Sequence, residues 1–173
     1  MSAAYVEVRK GPGLLLLIMG FLVGTLDILA AFTQYYLSTG KGPEGVLRYI
    51  ASGVFGKEAF TGGTGMVYWG LFFHFLIAYS FTLFFYWLYK QRKPGAIFPR
   101  YPFLTAFLYA IFMWLITQQI VVPLSNVPFS NDFQLRKGIE AVMILTLMIG
   151  IPLSLAMKRY FKEGNISNKS TEP

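Results

Sequence analysis

The stretch LLLLIMGFLVGTLDILAAFTQYY, residues 14–36, decides the fold. It contains one charged residue, Asp27, and it exceeds the roughly 20 apolar residues that a helix needs to cross a bilayer. Gly20, Gly24, Asp27, Ala31 and Gln34 recur in it at steps of 4, 3, 4 and 3, which places them on one side of a helix. Leucine, isoleucine, valine and phenylalanine make up most of the rest of its circumference. Small residues let a neighbouring backbone come close, and a carboxylate must avoid hydrocarbon, so this stripe is expected to face protein and not lipid.

Three further runs of the same kind follow, near residues 66–89, 101–123 and 138–160. Gly11-Pro12-Gly13 punctuates the first start, Pro94-Gly95 marks the turn between the second and third runs, and Pro102 suits a first helical turn. The composition agrees, since 55% of residues are hydrophobic, 13% are charged and the mean hydropathy is +0.52, against about a quarter charged in soluble domains. The reading is an all-α polytopic membrane protein forming a single domain over residues 1–161. The polar tail, 162–173, is expected to be disordered in the cytoplasm. The first run exceeds the 7–15 residues of a signal-peptide core and holds Asp27, so it is expected to be a retained span.

The net charge of +7 does not point to nucleic acid, because 10 of the 15 Lys and Arg fall in three short segments flanking apolar runs. Arg9, Lys10, Lys90, Arg92, Lys93, Arg100, Lys158, Arg159, Lys162 and Lys169 fall on one side of the predicted membrane. Lys41, Arg48, Lys57, Arg136 and Lys137 fall on the other. That bias predicts both termini in the cytoplasm. Tyr35, Tyr36, Tyr68 and Trp69 then form an outer aromatic belt, and Tyr86, Trp87, Tyr89 and Tyr101 an inner one.

The connection between the first two spans carries its own pattern. Val46, Leu47, Ile50, Ala51, Val54 and Phe55 follow helical spacing between Pro43 and Gly56, which predicts an amphipathic helix over about 43–56 lying on the outer surface or dipping into the bundle mouth. Thr61 to Gly65 reads as a flexible connector, since it lacks the Lys-Ser/Thr ending of a phosphate loop.

In the second span Gly70, His74, Ala78 and Thr82 step along one face, the expected mate of the first stripe. Asp27 lies 9 residues before Tyr36 and His74 lies 8 after Met66, so at about 1.5 Å per residue both sit roughly 12–14 Å below the outer edge. Gln118 and Gln119 lie just below Pro123, Glu140 lies just inside the outer start of the fourth span, and Pro152 is expected to kink that span. The predicted site is therefore an outward-side polar pocket of Asp27, His74, Gln34, Gln118, Gln119 and Glu140. Gly20, Gly24, Ala31, Gly70 and Ala78 are expected to serve as helix-packing positions. The loop 124–137, with Asn131-Asp132, is expected to form the rim.

Buried alone, an ionised Asp27 would cost at least about 2.5 kcal/mol, so it is expected to pair with His74 or protonate. Such a pair fits a proton relay or a pH-sensed gate, and equally well a hydrogen bond that only fixes helix register. A lone histidine among scattered carboxylates lacks the ligand spacing of a bundle metal site, and no serine joins a His-acid arrangement. No cofactor and no catalytic residue are predicted.

Gly20 with Gly24-Thr25-Leu26-Asp27, the run Ile50 to Ala59 (IASGVFGKEA), His74 to Ala78 (HFLIA) and Val121 to Ser125 (VVPLS) extend over most of the chain. In these the chain resembles a group of small four-span bacterial inner-membrane proteins. It is more loosely similar to YagU-like membrane proteins, which also join a glycine-rich first helix to a histidine in a middle one. The resemblance implies a bacterial source and four spans, and it carries no activity. Three roles remain open: binding, transport or sensing of a small solute or proton; an accessory subunit docking a second copy or another membrane protein through the Gly20/Gly24 face; and a membrane-embedded lipid-modifying enzyme. The lipid bilayer is the expected surroundings in each.

Overall fold

A computed structural model describes residues 11–91, 100–128 and 135–169, with side chains as far as Lys162. Helix α1 is Pro12–Thr39, α2 is Glu44–Phe55, α3 is Glu58–Thr61 and α4 is Gly65–Lys90. Helix α5 is Pro102–Leu124, and α6 has its apolar span at Leu135–Lys162. Among the described residues there is no strand. Helices α1, α4, α5 and α6 are each long and apolar enough to cross a membrane, and their apolar spans end within three residues of the sequence expectation. The chain is an all-α protein with the build of a multi-pass membrane protein.

Gly40 ends α1 in the left-handed region at φ 67°, its N–H bonded to the Tyr36 carbonyl, and Gly56 ends α2 at φ 59°. The tail departs from expectation. Helix α6 continues to Lys169, because no proline follows Pro152 until Pro173 and nothing in between forbids the helical hydrogen bonds. Residues 170–173, the Pro94-Gly95 turn, Asn131-Asp132 and the cations Arg9, Lys10, Arg92 and Lys93 lie outside the described residues.

The spans turn apolar side chains outward, as Leu17, Phe21, Leu83, Phe103, Leu108 and Leu147 show. Helix α1 lies against α4 and α6, α5 runs along α6, and α2 covers α4. Glycines set the closest approaches. A side chain on Gly20 would collide with the ring of Tyr79, and one on Gly24 would come 2.9 Å from Phe75 and 3.1 Å from the Ala78 methyl. Gly70 departs from its expected mate: the backbone of Leu47 in α2 fills the place where its side chain would be. The amphipathic helix takes that site because Leu47, Ala51 and Ser52 form its buried face.

The end of the bundle that holds Leu14, Lys90, Tyr101 and Tyr160 contains a packed core among the described residues. Met19, Val23, Phe85, Tyr89, Leu153 and Met157 are buried together there. Phe84 stacks on Phe112 with centroids 5.3 Å apart, Phe85 meets Tyr109 edge-on at 4.6 Å, and the Tyr109 hydroxyl donates to the Phe81 carbonyl at 2.6 Å. Tyr89 thus belongs to the core and not to the predicted aromatic belt, with 1% of its surface exposed. Tyr36, Tyr68, Trp69, Trp87 and Tyr101 are exposed near the span ends.

Both α5 and α6 contain a π-helical stretch, Thr117–Val121 and Thr146–Gly150. In each case a proline stands two residues beyond it, Pro123 and Pro152. A proline ring clashes with the carbonyl four residues back and supplies no N–H, and widening the preceding turn relieves that clash without ending the helix. Pro152 therefore produces a widened turn and not a break.

Gly150 sits against the Ala106 backbone, where an added Cβ would lie 2.6 Å from the carbonyl oxygen. Gly150→Ala should lower stability by about 1–3 kcal/mol, seen as a lower unfolding midpoint in detergent. Gly13→Ala meets nothing within 4 Å and should leave the midpoint within about 0.5 kcal/mol of the parent.

Candidate functional site

At the α2 end the spans stand apart around a cavity of about 310 Å³. Its polar side chains come from three of them: Asp27 and Gln34 from α1, His74 from α4, and Thr117 and Gln118 from α5. The remaining wall is apolar, with Ile50 of α2, Ala78, Phe81, Met113, Trp114 and Ile149 among its residues. A mostly apolar hollow with a few convergent polar groups is the usual form of a small-molecule site.

The small-residue stripes place the two ionisable groups. Gly24 against Ala78 brings α1 and α4 together, and His74, one turn before Ala78, reaches across. Its Nε2–H donates to the Gly24 carbonyl at 2.8 Å. In the neutral ring that leaves Nδ1 as an acceptor. The ring also stands edge-on to Phe75 at 5.4 Å between centroids, and only 8% of the residue is exposed.

Asp27 and His74 share the cavity and lie within electrostatic reach of each other. The predicted direct pairing is nevertheless replaced: the imidazole bonds to backbone one turn away from the carboxylate. Among the described residues nothing donates a hydrogen bond to Asp27, and it has no ion pair. The carboxylate is half-buried and faces the hollow. Gln34 and Gln118 are more exposed, and their amides likewise have no hydrogen-bond partner among the described residues.

Two residues of the predicted pocket fall elsewhere. Gln119 is exposed and does not line the cavity, because one step along a helix turns a side chain by about a quarter-circle away from Gln118. Glu140 pairs with Arg136, Nε to Oε1 2.8 Å, and borders a separate groove between α1 and α6 that also reaches Gln34. Sequence reasoning did not find Ile50 and Trp114 as wall residues. The available signals were the apolar face of the amphipathic helix for Ile50, and for Trp114 its place one turn before Gln118.

Helix α2 reaches the mouth of this hollow through Ile50 and is held in place at both ends. Arg48 donates to the carbonyls of Ala59 at 3.0 Å and Gly62 at 2.5 Å. Asn126, just after α5, donates through its backbone N–H to Gly53 and through Nδ2 to Val54, each at 2.9 Å. Of the expected rim, α2 reaches this hollow, whereas Leu124, Ser125 and Val127 of the loop border a neighbouring one. Among the described residues no three His, Asp or Glu side chains converge as a metal ion would require.

No protein-family model, curated protein or solved structure matches the chain.

The His74 bond to Gly24 gives a direct test of what the imidazole does structurally. His74→Leu should destabilise the bundle by about 0.6–1.7 kcal/mol, the range for interhelical hydrogen bonds in membranes, read as a lower unfolding midpoint in detergent. His74→Gln retains an N–H donor of similar reach and should recover most of that loss.

Proposed function

We propose that this chain is a multi-pass protein of the bacterial inner membrane, with both termini in the cytoplasm, that admits a small solute or a proton to an outward-facing pocket centred on Asp27 and His74, for transport or sensing. One observation carries the reading: a carboxylate inside the bundle faces a cavity and has no hydrogen-bond donor among the described residues. A residue kept only to hold helices together would bond to one of them, as His74 does to Gly24. Holding a charge at such depth costs about 2.5–3.5 kcal/mol, which a bound cation, proton or donor offsets.

Packing supports the access side. The aromatic core closes the other end, so a solute reaches Asp27 past Gln34, Gln118 and the amphipathic helix. The bias of Lys and Arg toward the closed end supports assigning that end to the cytoplasm.

The competing role, docking a partner through the Gly20/Gly24 face, has less support. Tyr79, Phe75 and Ala78 of the same chain already fill that face, which leaves no groove for a second helix.

The chain contains no cysteine, so single cysteines can report access. Ala31→Cys, on the cavity wall, should react with a membrane-impermeant thiol reagent added outside intact cells. Leu115→Cys, which points outward from α5, should not react. Labelling of Ala31→Cys only from the cytoplasmic face, or not at all, would rule out the outward pocket.

A further inference from the structure

Beside the polar cavity lies a second one of about 360 Å³, between α2, α4 and α5. Ile50, Ile77 and Thr117 border both, so the two hollows are neighbours and these three side chains form the threshold between them. The second is walled by apolar side chains such as Val54, Leu76, Val121 and Leu124, and no charged residue lines it. The first has one carboxylate and no lysine or arginine. Phe81 and Trp114 are among its wall residues, and aromatic rings attract cations.

We infer that the ligand is an amphiphile with one compact cationic head, an amine or quaternary ammonium, on a single alkyl chain. This rests on the pocket reading above and adds the chemical class. The head sits at Asp27, where its charge meets an acceptor that no described residue occupies. The chain crosses the threshold at Ile50, Ile77 and Thr117 and lies in the apolar cavity. His74 gives Asp27 no hydrogen bond through Nε2, because that N–H is committed to the Gly24 carbonyl. An anionic amphiphile of the same shape would put like charges together in a medium where repulsion is strong. A small cation without a chain would leave the second cavity unfilled, although each buried methylene favours binding about fourfold, equivalent to about 0.8 kcal/mol.

The test uses full-length Ala31→Cys protein in nanodiscs of zwitterionic lipid, with the rate of thiol labelling as the readout. Octyltrimethylammonium, tetramethylammonium and octyl sulfate are compared at equal concentration below micelle formation. Octyltrimethylammonium should slow labelling about tenfold or more, tetramethylammonium much less, and octyl sulfate not at all. Asp27→Asn should abolish protection by the octyl cation. Gly53→Leu, which projects a side chain into the apolar cavity, should remove the advantage of the octyl chain and leave the weak effect of tetramethylammonium unchanged. Equal protection by octyl sulfate, or full protection in Asp27→Asn, overturns the inference. If Asp27→Asn does not fold, the comparison of cation with sulfate on unaltered Asp27 still decides. Failure of Ala31→Cys to label without any probe defeats the pocket reading and this inference together, whereas labelling that no cation slows defeats this inference alone.

Discussion

Hydrocarbon offers no hydrogen-bond partner to a carboxylate, an imidazole or an amide, and that constraint arranges the bundle. Each span has one face on which polar and small residues concentrate, and the spans turn those faces toward one another. On α1 the face is Gly20 through Gln34, and on α4 it is His74 through Thr82, while Gly70 meets α2. What lies outside is Leu, Ile and Phe. The result differs between the two ends, because the partners available differ. At the end that holds Leu14 and Tyr160, Tyr89, Phe85, Leu153 and Met157 are buried together. Near α2 the spans stand further apart, and a hollow lined by a few polar groups and many apolar side chains remains around Asp27.

Backbone contacts set the dimensions of that hollow. Where glycine meets backbone the helices touch: α2 on Gly70 through Leu47, and α5 on Gly150 through Ala106. These contacts hold α2 against α4 and α5 against α6, while α4 and α5 join chiefly through aromatic rings at the closed end. The π-helical turns before Pro123 and Pro152 add to the effect. Thr117 and Gln118 belong to the first, and Ile149 to the second, so both widened turns contribute wall residues. A proline that is costly for an ordinary helix here positions side chains at a cavity.

The separation of Asp27 from His74 is the detail with the most chemical consequence. Had the imidazole bonded to the carboxylate, the two would have satisfied each other and the site would be closed to a ligand. Instead Gly24, without a side chain, lets the ring reach its carbonyl, and the acid one turn away is left facing the cavity. The same glycine that lets the helices approach therefore also diverts the imidazole.

The spans, the surface helix and the face carrying Asp27 were legible in the sequence, because they depend on periodicity, length and the cost of polar groups in lipid, all of which are properties of a single segment. Matching depth for Asp27 and His74 was legible as well, since it follows from counting along two helices. The partner of His74, the docking of Gly70 on α2, the burial of Tyr89 and the loss of Gln119 and Glu140 from the pocket were decided by the tertiary structure. Each of these depends on rotation about a helix axis and on which neighbour arrives first, and a rotation of one residue turns a side chain by about a quarter-circle. Periodicity along one helix specifies which residues face inward, and only the packed bundle specifies which atom each of them meets.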